Sequence, residues 1–173
     1  MTYPRRKYLS YFLFSAGVIL LAGSVLIYFH TRQTSSINLA ENVPEIVAGL
    51  PLVQLITGQE AIDRIHQLHG KDFRLDDGVV AIYGNQNVTL WISEAGSVLA
   101  AFDLIESMNA RISQGDSPFT PLGELELDGF TVFALDGMGQ AHYYWQSGKL
   151  VLWLAADVPV AQQAILNSVE FYK

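Results

Sequence analysis

Apolar residues are unevenly spread along this chain, and the first block differs from the rest. From Tyr8 to Phe29 run 22 residues without a charge, twelve of them Leu, Ile, Val or Phe. As a helix at about 1.5 Å per residue they span roughly 33 Å, enough to cross a hydrocarbon core of ~30 Å. Each large apolar side chain favours insertion by about 0.3–0.6 kcal/mol, so the segment totals on the order of −5 kcal/mol before Ser10, Ser15 and Ser24 are set against it. The pattern predicts a transmembrane helix over 8–29. A cleaved signal peptide has the same basic start. However, the apolar run exceeds the usual 7–15 residues, and bulky Leu26-Ile27-Tyr28-Phe29 stands where small residues would be needed.

The following stretch, 30–50, reads as a tether. His30 to Ser36 is polar and lacks apolar periodicity. Pro44 to Ala48 has the makings of one helical turn, with Asn42 near its cap and Gly49 ending it. Leu50 to Ile56 is apolar and contains Pro51, which suits an edge strand or a segment laid over the core.

From Thr57 the pattern becomes that of a folded domain. Thr57-Gly58-Gln59-Glu60 has the form of a capping box, and Ala61, Ile62, Ile65 and Leu68 then line one helix face up to Gly70. Short strands are expected at Phe73–Leu75, Val79–Tyr83 and Val88–Ser93, the last alternating Val88, Leu90, Ile92 with Thr89, Trp91, Ser93. A second helix is expected over 96–113, with Val98, Ala101, Phe102, Ile105, Met108 and Ile112 on one stripe. Four more strands follow at 124–127, 131–136, 140–146 and 150–155, joined by turns at Asp128-Gly129, Asp136–Gly139 and Ser147-Gly148. Asp157 is placed to cap a last helix, with Pro159 in its first turn.

Turns this short join antiparallel neighbours, so the class is α+β: one N-terminal transmembrane helix, then a mainly antiparallel sheet of about six to seven strands packed with three helices. The divisions are a basic tail (1–7), the span (8–29), the tether (30–50) and the α+β domain (51–173). Leu150-Val151-Leu152-Trp153-Leu154-Ala155 is apolar on both faces and should be a central strand. If the helices all lay on one face, its other face would need a partner, the bilayer surface or another copy.

Charge sets the orientation. Arg5, Arg6 and Lys7 precede the span and are held in the cytoplasm by the positive-inside rule, which puts the domain in the periplasm or outside the cell, anchored in the plasma (inner) membrane. The other seven Lys and Arg face all 17 Asp and Glu, so the outer domain carries −10. That excludes nucleic acid as an expected partner. The chain has no cysteine, which removes disulfides, thiol catalysis, thiolate metal sites and lipoprotein processing. Seven residues inside are too few for a signalling domain, so function is expected in the anchor, the outer domain or both.

Candidate chemistry is sparse. His66 and His69 lie one helical turn apart but have no third ligand at metal-site spacing. Glu124, Glu126 and Asp128 alternate onto one strand face, a row too flat for the six to eight oxygens of a calcium site. Asp136-Gly137-Met138-Gly139 has glycines but opens no helix, and G-x-S-x-G is absent. No catalytic residue, metal or cofactor is therefore assigned. Two features point to interactions instead. Ser15-Ala16-Gly17 and Ala22-Gly23-Ser24 stack small side chains two turns apart on the anchor, a face suited to another transmembrane helix. His142-Tyr143-Tyr144-Trp145 is an aromatic strand, with His142 and Tyr144 on one face and Tyr143 and Trp145 on the other, able to serve as a core, an interface or a ligand strand. The expected function is a non-catalytic accessory subunit of a membrane complex, partnered by another membrane protein. The alternatives are a tethered binding domain for a small ligand or envelope polymer and, third, a hydrolase.

Overall fold

The computed structural model describes residues 20, 21, 23, 24, 38–69, 74–115 and 117–173. The span 8–29 lies largely outside them, as do Ser15, Ala16, Gly17 and Ala22. Gly23 and Ser24 are helical, and the Ser24 hydroxyl donates to the Leu20 carbonyl at 2.8 Å. Among the described residues no helix is long and apolar enough to cross a membrane. The chain divides into two compact units, 1–37 and 38–173.

The second unit is α+β. Its strands are β1 (Ile46–Val47), β2 (Leu50–Thr57), β3 (Asp77–Tyr83), β4 (Val88–Glu94), β5 (Thr120–Leu127), β6 (Phe130–Gly137), β7 (Gln140–Ser147) and β8 (Leu150–Ala156). Its helices are α1 (Gly58–His69), α2 (Val98–Ser113) and α3 (Val158–Phe171). All eight strands join one antiparallel sheet in the order β1-β2-β3-β4-β8-β7-β6-β5. Two meanders are thus stitched together where β4 meets β8.

The eight strands exceed the expected six to seven: two of them precede α1, whereas Arg74 and Leu75 of the strand expected at Phe73–Leu75 belong to no strand and Phe73 lies outside the described residues. The helical turn expected at Pro44–Ala48 is instead β1 and a tight hairpin. Its turn residues Ala48 and Gly49 both take left-handed φ, 53° and 75°, as a primed turn requires. The Asn167 side chain accepts from the Ala48 N–H at 3.0 Å and holds this strained residue in place. The second compact unit accordingly begins at Asn38, inside the stretch read as tether: Leu39, Val43 and Val47 are buried in its core. Two tyrosines pin this strap from beneath. Tyr83 donates to the Pro44 carbonyl and Tyr172 to the Asn42 carbonyl, each at 2.9 Å. Burial raises the pKa of both phenols, which keeps them protonated as donors.

The helices cover both faces. Ala61 and Ile65 of α1, with Ala101, Ile105 and Ile112 of α2, pack on one face against Val80, Tyr144, Val151 and Trp153. Ala161, Ala164, Ile165 and Val169 of α3, together with the strap, pack on the other against Leu90, Trp145, Leu152 and Leu154. The doubly apolar β8 is therefore covered by the chain's own helices on both sides, and no partner is needed to explain it.

Local signals fared unevenly. Ser97 caps α2, accepting from the Ala100 N–H at 3.0 Å. Val98 and Phe102, expected on the buried stripe, are exposed: at 100° per residue they fall on the flank of the line through Ala101, Ile105 and Ile112. The Glu60 carboxylate closes no box and instead accepts from Arg64 at 3.0 Å. Asp157 precedes α3 but makes no side-chain cap; its carboxylate accepts from Asn87 at 2.9 Å and Gln140 at 3.0 Å. These two hydrogen bonds, Gln140's the stronger influence, hold its pKa below the usual aspartate value.

Candidate functional site

The antiparallel registers align one residue from each of seven strands on the face shared by α1 and α2. The row runs Glu124, Phe133, Tyr144, Trp153, Trp91, Val80, Ile56 from one edge of the sheet to the other. Its middle is an aromatic stack: Phe133 on Tyr144 with centroids 4.9 Å apart, and Tyr144 on Trp153 at 5.3 Å. Phe119, just before β5, closes over the next position, 4.6 Å from the His142 ring and 5.1 Å from Trp153.

His142 is held within this stack at both nitrogens. The Trp153 indole N–H donates to Nδ1 at 3.1 Å, and Nε2 lies 3.1 Å from the Gly137 carbonyl. An indole can only donate, so Nδ1 must accept and Nε2 must carry the proton: the ring is one defined neutral tautomer. Burial lowers its pKa, opposed by the Gly137 hydrogen bond and by Asp136. Gly137 is required by the same packing, since a Cβ there would stand 2.5 Å from Phe119 Cδ1.

Tyr144 forms the floor of a groove of about 240 Å³ between α2 and the β5–β6 edge. Ile112, Phe133 and Leu135 make its apolar wall, and Asn109, Ser113 and Glu124 bring polar groups to it. The Tyr144 hydroxyl donates to Asn109 Oδ1 in a short hydrogen bond. Burial, then the carboxylates of Glu124 and Glu106, push its pKa up to about 12. At neutral pH it is a hydrogen-bonding phenol and not a base.

The aromatic strand is thus mostly core. His142, Tyr144 and Trp145 are buried and only Tyr143 is half-buried, with His142 and Tyr144 toward α2 and Tyr143 and Trp145 toward α3. Comparison with known protein families, with curated proteins and with solved structures finds no match to this chain. The site therefore has to be read from its own geometry. Among the described residues no three His, Asp or Glu side chains gather closely enough to hold a metal ion. His66 is half-buried on α1, while the side chain of His69 lies outside the described residues. Glu124 and Glu126 are exposed on edge strand β5. Asp128 leaves their row: it sits in the turn with φ 48°, 3.7 Å from the Lys173 ammonium.

Sequence reasoning found Tyr144 but missed the residues that make its surroundings: Asn109, Phe119, Phe133 and Trp153. For Phe133 and Trp153 the signal lay in the turns. Two-residue turns at Met138-Gly139 and Gly148-Lys149 set Phe133, Tyr144 and Trp153 opposite one another.

Proposed function

We propose that this chain is a membrane-anchored interaction subunit: a single N-terminal span in the plasma membrane, with the acidic α+β domain displayed outside the cytoplasm and docked on another membrane protein. The observation that carries the reading is where the domain leaves apolar surface uncovered. Val98, Leu99 and Phe102, adjacent on the first turns of α2, are each more than half exposed. A contiguous apolar patch on a strongly acidic domain is the surface expected of a protein contact, whereas scattered single residues would not be. The polar groups His142, Tyr144 and Asp157 are engaged in internal hydrogen bonds, which suits a scaffold better than a reaction centre.

The test is purification of the full-length protein from its native membrane in mild detergent, followed by native electrophoresis and mass spectrometry. A stoichiometric membrane protein should co-purify, and Phe102→Glu should release it. A lone monomer would remove this reading. It would leave the Tyr144 groove, with its apolar wall and polar rim, as a small-ligand site.

A further inference from the structure

The two edges of the sheet are built differently. Both edges carry a proline and a bulge, Pro121 and the Pro121–Gly123 bulge in β5 and Pro51 and the Leu52–Gln54 bulge in β2, but β5 adds the charges of Glu124 and Glu126, which β2 lacks. Charge, proline and bulges are the devices that stop a strand from recruiting another. At the opposite edge, β1 covers only the start of β2: Ile46 pairs with Pro51, Val47 with Leu50, and the Leu52 N–H donates to the Glu45 carbonyl. Beyond that point β2 has one strand neighbour among the described residues, β3. The uncovered stretch exposes Val53 at 57% and Leu55 at 37%, and no charged residue occurs from Ile46 to Gln59.

We propose that two copies of the chain pair through this stretch, β2 against β2 of the second copy, antiparallel about a twofold axis, so that one sheet runs through both. Charge favours this occupant. Two domains that each carry −10 outside the anchor repel nearly everywhere, and the uncharged β2 edge is where they meet at least cost. Geometry favours closure: pairing β2 with β5 of the next copy would build an open filament, and β5 is protected against it, which leaves the self-complementary pair. So short a pairing falls below the ~1,200 Å² of a standard interface. It therefore rests on the anchored reading above, in which a shared bilayer confines both copies and raises their effective concentration.

The absence of cysteine supplies the experiment. Val53→Cys, Gln54→Cys, Leu55→Cys, Ile56→Cys and Thr57→Cys are placed singly in the full-length protein, oxidised in the native membrane and compared with Leu125→Cys on β5. Any twofold pairing of this short stretch brings at least one position opposite its own copy at disulfide distance. We expect a covalent dimer at one or two β2 positions, at least tenfold above Leu125→Cys. Adding Leu55→Lys to the best position should cut the yield several-fold, while thermal melting confirms that the variant remains folded. No dimer at any β2 position, equal dimer at Leu125→Cys, cross-links to a different polypeptide only, or a yield indifferent to Leu55→Lys would each overturn the proposal. Failure here with a partner still co-purifying leaves the interaction-subunit reading standing. A covalent dimer with no other protein present removes that reading and keeps the pairing.

Discussion

Replacing His142 by Phe separates the packing of the ring from its hydrogen bonds. Phe keeps an aromatic ring against Phe119, but it removes the acceptor used by Trp153 and the donor to Gly137. The Trp153 side is buried, so losing that hydrogen bond costs about 1–3 kcal/mol, while the partly exposed Gly137 carbonyl turns to water at little further cost. For a domain of this size roughly 4 °C of melting temperature accompanies each kcal/mol, so the fragment 38–173 should melt about 4–12 °C lower at pH 8. The pH dependence follows from the sign of the shift. The folded pKa of His142 lies below the ordinary 6.5, so the unfolded chain takes up the proton first. Its contribution is complete above about pH 6.5 and is lost as pH falls through the depressed folded value. Protonated at Nδ1, the ring could no longer accept from Trp153. His142→Phe has nothing to titrate, so the gap between wild type and variant should shrink as the pH is lowered from 8 to 5. Thermal melts followed by tryptophan fluorescence measure both quantities. A gap that stays constant with pH would refute the neutral tautomer, and no gap at pH 8 would refute the hydrogen bond.

Two other substitutions test a buried carboxyl and a close packing contact. Glu94 is buried at the end of β4; burial raises its pKa, Lys149 opposes this, and Asp76 and Asp77 add to it. A raised carboxyl favours the fold below its unfolded value of 4.5 and weakens it as pH rises, so Glu94→Gln should increase the melting temperature at pH 7 and lose that advantage near pH 4; a decrease at pH 7 would contradict the assignment. Gly137→Ala should cost about 1–3 kcal/mol, because the new Cβ meets Phe119 and, at 3.0 Å, the Pro118 carbonyl; a urea midpoint equal to wild type would show that Phe119 moves freely.

Strands with strict alternation or tight turns could be read from the sequence, because both signals are local. Val88–Glu94 and the hairpins of the second half emerged within a residue or two of their expected ends, apart from β5, which begins at Thr120. Register was harder to read. Taking Ser147-Gly148 as the turn, where Gly148-Lys149 makes it, shifts every β7–β8 pair by two residues and hides the contact of Tyr144 with Trp153. The strap at 38–48 looked like linker because its order comes from Tyr83, Asn167 and Tyr172, all remote in sequence. Asp157 shows the same limit: a helix-start residue by pattern, it is claimed by Asn87 and Gln140 once the sheet has formed. The groove required α2, β5 and β7 to meet, and no local pattern encodes that meeting.

The β4–β8 junction has a consequence for how the molecule is assembled. Each meander is built from neighbours in sequence, whereas the junction pairs Val88 with Ala156 and Glu94 with Leu150 across all of α2 and three strands. Loop closure makes such distant pairings slow, so the two halves should condense first and join last. Until they join, β4 presents Leu90, Trp91 and Ile92 along an open edge, and β8 presents an apolar one. Every newly made chain therefore passes through an interval in which its most adhesive strands are free, and the length of that interval sets the risk that it aggregates before it folds.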